Sequence, residues 1–148
     1  MNYETTPEVE IALSRYFGIR ANLIVPNIDW GLFPYEVDLA ILKPSGFVYE
    51  VEIKISKADL LADRKKRHNH FTNMIKYLWF AMPEKMEECH IYIPIKAGIY
   101  LVTKKGIVWE YRKPLRNKTA RKLTDEEKYQ FARLGAMRIW GLKEALRK

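Results

Sequence analysis

Apolar residues recur at helical spacing near the start of the chain and cluster in strand-like runs through its middle. Thr6 and Pro7 predict a helix start, with a hydroxyl at the N-cap and proline in the first turn. The apolar stripe that follows predicts a helix over roughly Pro7–Phe17, ended by Gly18. A short strand is expected over Leu23–Val25, followed by a loop rich in turn formers.

The clearest pattern is a pair of strand-like runs, Glu36–Leu42 and Phe47–Ile55, on either side of the turn-forming residues 43–46. Such a pattern predicts an antiparallel hairpin. With the turn centred there, cross-strand partners have residue numbers that sum to about 90. This register places Asp38 opposite or next to Glu52.

The rest of the chain predicts further strands and two more helices. Lys57–Arg67 is typical of a basic helix, and Thr124 with Glu127 predicts a capping box before a long helix that covers one face of the sheet. Strands are expected over Tyr77–Met82, Ile91–Ile95, Ile99–Val102 and Ile107–Tyr111. We also expect Trp30, Trp79 and Trp140 to pack in the core. Together these elements predict an α/β (α+β) fold, a mixed β-sheet flanked by helices, in one domain over residues 1–148.

Composition agrees with one core that needs no disulfide. The chain has 148 residues, of which 48% are apolar, and its single cysteine, Cys89, excludes an intrachain disulfide and suits a reducing, cytoplasmic compartment. No apolar run approaches the roughly 18 residues that a membrane span requires, so we expect no membrane association.

The net charge of +8 favours a polyanionic partner, and its distribution is uneven. Residues 1–55 hold eight acids and four bases, whereas residues 56–148 hold ten acids and twenty-two bases. A protein that holds a metal ion beside nucleic acid needs carboxylates at the ion and cations along the phosphates. Solvated, lysine-rich helix faces are the alternative explanation.

Strand alternation places Glu50, Glu52 and Lys54 on one face of the second hairpin strand. A half-exposed strand would show the same pattern, but the hairpin adds Asp38 to it. Two carboxylates opposite each other destabilise a sheet unless a cation lies between them, and Mg²⁺ binds such a pair with water and phosphate. Lys54 could then position the attacking water, so the residues suit phosphodiester hydrolysis.

The segments 36–38 and 49–56 resemble the PD-(D/E)xK nuclease core, as found in Holliday-junction resolvases and restriction endonucleases. More of the chain is similar to the MmcB-type DNA repair proteins of that superfamily, through segments 56–65, 77–83, 97–102 and 131–138. The resemblance covers roughly residues 36–141 and implies a restriction-endonuclease-like core. Val37 replaces the proline of the superfamily's name, and Lys66 stands where the MmcB-type pattern has tryptophan.

The resemblance implies that Asp38 and Glu52 bind Mg²⁺ or Mn²⁺, with the Ile53 carbonyl as a further ligand. It implies that Lys54 is the catalytic base or the group that positions water. Other superfamily members add a glutamate from the first helix, for which Glu10 is the candidate and Glu8 the alternative.

Basic residues near this hairpin are the candidates for nucleic-acid binding: Lys57, Arg64, Lys65, Lys66 and Arg67. The superfamily often places a lysine of this helix near the site, which here would be Lys65. A solvated helix face is the alternative. Residues 112–122 hold six bases and no acid after Trp109 and Tyr111, which is typical either of a nucleic-acid contact or of a mobile surface loop.

These observations favour a divalent-metal-dependent DNA endonuclease acting in repair or recombination. The alternatives are a DNA-binding or repair-accessory domain of the same fold with little or no catalysis, and a purely structural domain. Cleavage of both DNA strands would favour a homodimer, whereas nicking suits a monomer.

Overall fold

Six strands form one mixed sheet, with helices packed against it. A computed structural model describes residues 1–28, 31–64 and 72–147. In chain order the elements are α1 (Thr6–Phe17), β1 (Leu23–Ile28), β2 (Val37–Leu42), β3 (Val48–Ile53), α2 (Lys57–Asp63), β4 (Ile75–Pro83), a 3₁₀ helix (Glu84–Tyr92), β5 (Gly98–Val102), β6 (Val108–Arg112) and α3 (Asp125–Leu146). The predicted mixed sheet flanked by helices is confirmed.

The strands lie in the sheet in chain order, β1 to β6. β1, β2 and β3 pair antiparallel, β3, β4 and β5 pair parallel, and β6 returns antiparallel to β5. Parallel neighbours need a crossover connection instead of a tight turn. Here α2 precedes β4 and the 3₁₀ helix precedes β5.

The β2–β3 hairpin has the predicted register. Ala40 pairs with Glu50 and Leu39 with Val51. The turn closes through the Gly46 N–H, which donates to the Lys43 carbonyl over 2.8 Å. Gly46 has φ of 94°, a backbone conformation that favours glycine. The turn residues 43–46 therefore set the register of the β2–β3 hairpin.

Apolar residues cover both faces of the sheet. Trp79 and Ala81 of β4 pack on the face covered by α1, whereas Leu78 and Phe80 pack on the opposite face, with Leu60 of α2. This alternation follows from the two-residue period of a strand. Burial of each large apolar side chain stabilises the fold by about 1.5–3 kcal/mol. These apolar side chains therefore place α1 and α2 on opposite faces of the sheet.

The predicted strand over Ile91–Ile95 is wrong. The 3₁₀ helix ends at Tyr92 and buries Met86, while Ile91 and Ile95 are 69% and 82% exposed. β4 already pairs with β3 and β5, so no sheet position is open to another strand there.

α3 begins with the predicted capping box of Thr124 and Glu127. It packs mainly against the edge strand β1, and its buried residue Phe131 lies in the apolar cluster that β1, β2 and β3 form on one face of the sheet, as predicted. α3 stays beside β1 as far as Leu142, which lines a pocket together with residues 23–26. Trp140 is 67% exposed, contrary to the prediction. Trp79 is buried as predicted, and Trp30 lies outside the described residues. No helix in the described ranges has the length and apolar character needed to cross a membrane.

Candidate functional site

The candidate site begins where β2 and β3 separate. The last registered pair of the hairpin is Leu39 with Val51. Beyond it, Oδ2 of Asp38 accepts a hydrogen bond of 2.9 Å from the backbone N–H of Ile53. The carboxylate thus bonds to the peptide that joins Glu52 to Ile53. The structure brings Asp38 and Glu52 together, as the hairpin register predicted.

A buried ion-pair group lies at the end of β3. The Nζ atom of Lys54 is 3.2 Å from Oδ1 of Asp63 and 3.6 Å from Oε2 of Glu52. All three residues are at most 6% exposed. Buried carboxylates and an ammonium require such partners, because an uncompensated buried charge costs several kcal/mol. Lys54 is therefore held by two acids.

Asp63, the last residue of α2, was missed by sequence reasoning. The resemblance pointed to Lys65 as the residue of this helix nearest the site, but Lys65 lies outside the described residues. Helical periodicity could have found Asp63, because it lies three residues after the buried Leu60 and so falls on the same helix face.

Glu10 reaches the site from α1. Both its burial and the negative charge of Asp38 raise the pKa of the Glu10 carboxyl group. Its Oε2 atom is buried and has no hydrogen-bond partner in the described part of the chain. The Glu10 carboxyl group, with its raised pKa and unsatisfied oxygen near the negative charge of Asp38, forms an arrangement that a cation would stabilise.

Glu8, the alternative to Glu10, has a different position. Its carboxylate accepts hydrogen bonds from the Thr5 hydroxyl, at 2.8 Å, and from the Asn2 N–H, at 3.1 Å. Thr5 is the N-cap, one residue earlier than predicted, and accepts from the Glu8 N–H. The Thr5 hydrogen bond lowers the pKa of Glu8. Glu8 is thus part of the helix cap, whereas Glu10 approaches Asp38.

The donor chemistry of the site suits a hard divalent cation. In the part of the chain that the structure describes, Glu10, Asp38, Glu52 and Asp63 supply carboxylate oxygens and Lys54 supplies an ammonium. Among the described residues, however, no group of three or more histidine, cysteine or acidic side chains is arranged to hold a metal ion. An ion held by two carboxylates and water, the coordination that Mg²⁺ accepts, does not need such a group.

Two of the predicted nucleic-acid contacts share one aromatic ring. The Lys57 ammonium lies 5.3 Å from the ring centroid of Tyr92, and the Arg64 guanidinium lies 5.7 Å from it. Both basic residues are exposed, at opposite ends of α2. They therefore present two positive charges on one side of the helix that carries Asp63. Lys65, Lys66 and Arg67 lie outside the described residues.

A second buried polar contact lies on the same face of β3. The Tyr35 hydroxyl donates a hydrogen bond of 2.6 Å to Oε1 of Glu50, whose side chain is fully buried. Burial and the charge of Glu50 raise the pKa of Tyr35 well above its ordinary value. Tyr35 lies in the loop before β2, where no periodic pattern signals a buried hydroxyl.

The chain matches no model of a known protein family and no curated protein. A solved structure, a protein of unknown function from Silicibacter pomeroyi, aligns with it at a TM-score of 0.64 and 20% sequence identity. The alignment covers 93% of this chain and 87% of the other. This similarity shows a shared fold, so function has to be argued from the residues of the site.

Proposed function

We propose that the chain is a divalent-metal-dependent endonuclease that hydrolyses phosphodiester bonds in DNA, within a restriction-endonuclease-like core similar to the MmcB-type proteins. One observation carries the proposal: the Asp38 carboxylate binds the Glu52–Ile53 peptide, next to an ammonium, Lys54, that two acids hold. Carboxylates for a cation and a fixed cation for a phosphate are the two requirements of metal-assisted hydrolysis.

In this proposal Asp38 and Glu10 are the first ligands of the ion, because both are more exposed than the fully buried Glu52. Bound Mg²⁺ or Mn²⁺ would lower the pKa of a water molecule and neutralise charge on the phosphate. Glu52 would join as a ligand by turning its carboxylate from Lys54 toward Asp38. The Ile53 carbonyl as a further ligand remains a prediction.

Lys54 has the role of a hydrogen-bond donor. When Glu52 turns toward the ion, Asp63 would still hold the Lys54 ammonium at the end of β3, and Lys54 would donate to the attacking water or to a phosphate oxygen. Asp63 acts through Lys54, as a positioning residue. Lys57 and Arg64 would contact the DNA backbone beside this group.

The test combines metal binding with cleavage. Titration calorimetry with Mn²⁺ and cleavage of labelled branched and linear DNA would compare the wild type with Asp38→Asn. Asparagine keeps an oxygen that can accept from Ile53, so a change reports the lost charge. We expect the substitution to abolish detectable metal binding and to slow cleavage by about 100-fold or more. Asp125→Asn, at an exposed acid in the first turn of α3, is the matched control.

A DNA-binding or repair-accessory domain without catalysis is the second candidate. It is favoured by the ion pairs that already occupy Lys54 and by the lack of a three-carboxylate metal cluster within the described ranges. DNA binding that is unchanged in Asp38→Asn, with neither Mn²⁺ binding nor cleavage by the wild type, would establish this candidate and exclude the nuclease.

Homodimer formation and a cytoplasmic location belong to the same proposal. Light scattering with and without DNA would test the oligomeric state. A monomer on DNA would restrict the proposed activity to nicking or to branched substrates.

A further inference from the structure

The basic segment between β6 and α3 is fastened to the sheet. Backbone N–H groups of Leu115 and Asn117 donate to the carbonyls of Lys96 and Lys76, both over 2.9 Å. The Asn117 side-chain amide also donates to the carbonyls of Thr72 and Ile75, at 2.9 Å each. These bonds give the segment a fixed position beside the start of β4, as a binding surface requires.

A cavity of about 370 Å³ lies between this segment and the sheet. Four of its lining residues are basic: Lys76, Lys96, Arg116 and Lys118. No acidic residue is among the described residues of its lining. Four cations with no lining acid attract an anion.

The cavity also has an apolar wall, to which Leu78 and Leu115 contribute. An apolar wall with a basic rim suits a ligand that has an aromatic base at one end and a phosphate at the other. The volume lies near the lower end of the roughly 300–1,000 Å³ that ligand pockets span, so it suits one nucleotide and not a folded strand.

Lys96 lines the cavity and interacts with the charge of the buried Glu50. Burial lowers the pKa of Lys96, while the charge of Glu50 raises it. In the folded protein the charge of Glu50 thus offsets part of the free-energy cost of removing the Lys96 ammonium from water. A bound phosphate would add a second favourable contact.

The cavity lies on the same face of the sheet as Glu52 and Lys54. Leu78 pairs with Glu50, and neighbours in a sheet share a face. The four residue steps from Glu50 to Lys54 span about 13 Å along the strand direction of β3. The cavity is thus a separate place from the candidate active site, although a short strand of nucleic acid can reach both.

We propose that this cavity binds one nucleotide unit, with its phosphate at Arg116 and Lys118 and its base against Leu78 and Leu115. The nucleotide comes either from solution or from an unpaired end of a nucleic-acid strand. The second source rests on the proposed function; the first does not.

The test uses Arg116→Gln with Lys118→Gln, two exposed residues of the cavity rim. The control is Lys104→Gln with Lys105→Gln, two exposed lysines outside the cavity that give the same change in net charge. Titration calorimetry in EDTA would measure binding of deoxyadenosine 5′-monophosphate, of deoxyadenosine and of a 5′-phosphorylated oligodeoxyadenylate. Thermal melting would first establish that both variants fold.

We expect the rim variant to lose about tenfold or more in affinity for the monophosphate or the oligomer, because it loses charge-assisted hydrogen bonds to the phosphate. The control should change affinity by less than about twofold to threefold, through long-range charge alone. A loss for the monophosphate assigns the cavity to free nucleotides, and a loss for the oligomer alone assigns it to strand ends.

Equal losses in the rim and control variants would overturn the proposal. So would measurable binding of deoxyadenosine with the same affinity as its monophosphate, or no binding of any probe. Because EDTA removes divalent metal, these results do not depend on cleavage. A chain that fails to cut DNA can still bind a nucleotide here, and a nuclease can lack the site.

Discussion

The backbone N–H of Ile53 donates a hydrogen bond to Oδ2 of Asp38 over 2.9 Å, although fifteen residues separate them. The bond links the start of β2 to the end of β3, past the last registered pair of the hairpin. A carboxylate that could turn toward solvent is instead fixed beside Glu52. The bond therefore has a structural consequence that can be separated from any role in metal binding.

Asp38→Ala should lower the free energy of unfolding by about 1.5–3 kcal/mol, because a backbone donor loses a charged acceptor. Asp38→Asn should lower it by less than about 1 kcal/mol, since the amide oxygen still accepts from Ile53. Urea unfolding without metal measures both. Equal losses in the two variants would show that the charge, and not the hydrogen bond, stabilises this end of the hairpin.

Glu10→Gln should raise the unfolding free energy of the metal-free protein at neutral pH. The folded pKa of Glu10 lies above its ordinary value of 4.5. Between that value and the folded pKa the folded state binds more protons than the unfolded state, so stability falls as pH rises through this window. Glutamine removes the charge and should flatten the pH dependence there.

Glu8→Gln should change the free energy of unfolding in the opposite direction. Because the folded pKa of Glu8 is lowered, its carboxylate stabilises the fold above pH 4.5, and the contribution is lost as pH falls through the folded pKa. Its substitution should lower stability at neutral pH. Urea unfolding in EDTA from about pH 4 to about pH 8 compares the two variants. The same sign in both would contradict the assignment of Glu10 to the site and Glu8 to the helix cap.

Lys54→Met should destabilise the protein by about 3–5 kcal/mol, because it leaves two buried carboxylates without their shared cation. Adding Asp63→Asn removes one of those charges and should recover part of the loss. We expect a coupling energy of about 0.5–3 kcal/mol between the two substitutions in a double-mutant cycle. Strictly additive losses would mean that the Lys54–Asp63 contact does not contribute to stability.

Tyr35→Phe should lower the unfolding free energy by about 1–3 kcal/mol, since the buried Glu50 loses a hydroxyl donor at 2.6 Å. Tyr129→Phe, at an exposed position on α3, should change it by less than about 0.5 kcal/mol. Denaturant midpoints of the two variants provide the comparison. Similar midpoints would show that Glu50 does not need the Tyr35 hydroxyl.

Features that depend on neighbours in the chain were predictable. The β2–β3 hairpin and its register followed from turn residues between two apolar runs, and the capping box of Thr124 and Glu127 followed from their spacing. The strands β4, β5 and β6 were also predicted close to their observed positions. The hairpin register alone was sufficient to bring Asp38 to Glu52.

Features that depend on packing between distant segments were not predictable. The resemblance gave Glu10 as the candidate and Glu8 as the alternative, but only the packing of α1 on the sheet places Glu10 near the charge of Asp38. Ile91 looked like a strand residue, but the sheet had no free position beside β4. Trp140 looked like a core residue, yet α3 buries Phe131 and leaves Trp140 67% exposed.

The sequence by itself determined the local elements, the hairpin register and the positions of Asp38, Glu52 and Lys54 along it, because these depend on backbone preferences and on the two-residue period of a strand. Only the tertiary structure decided that Asp63 pairs with Lys54, that Tyr35 bonds to Glu50 and that the basic segment after β6 borders a cavity. Those contacts join residues from different elements, and their partners are set by how the helices and loops pack on the sheet.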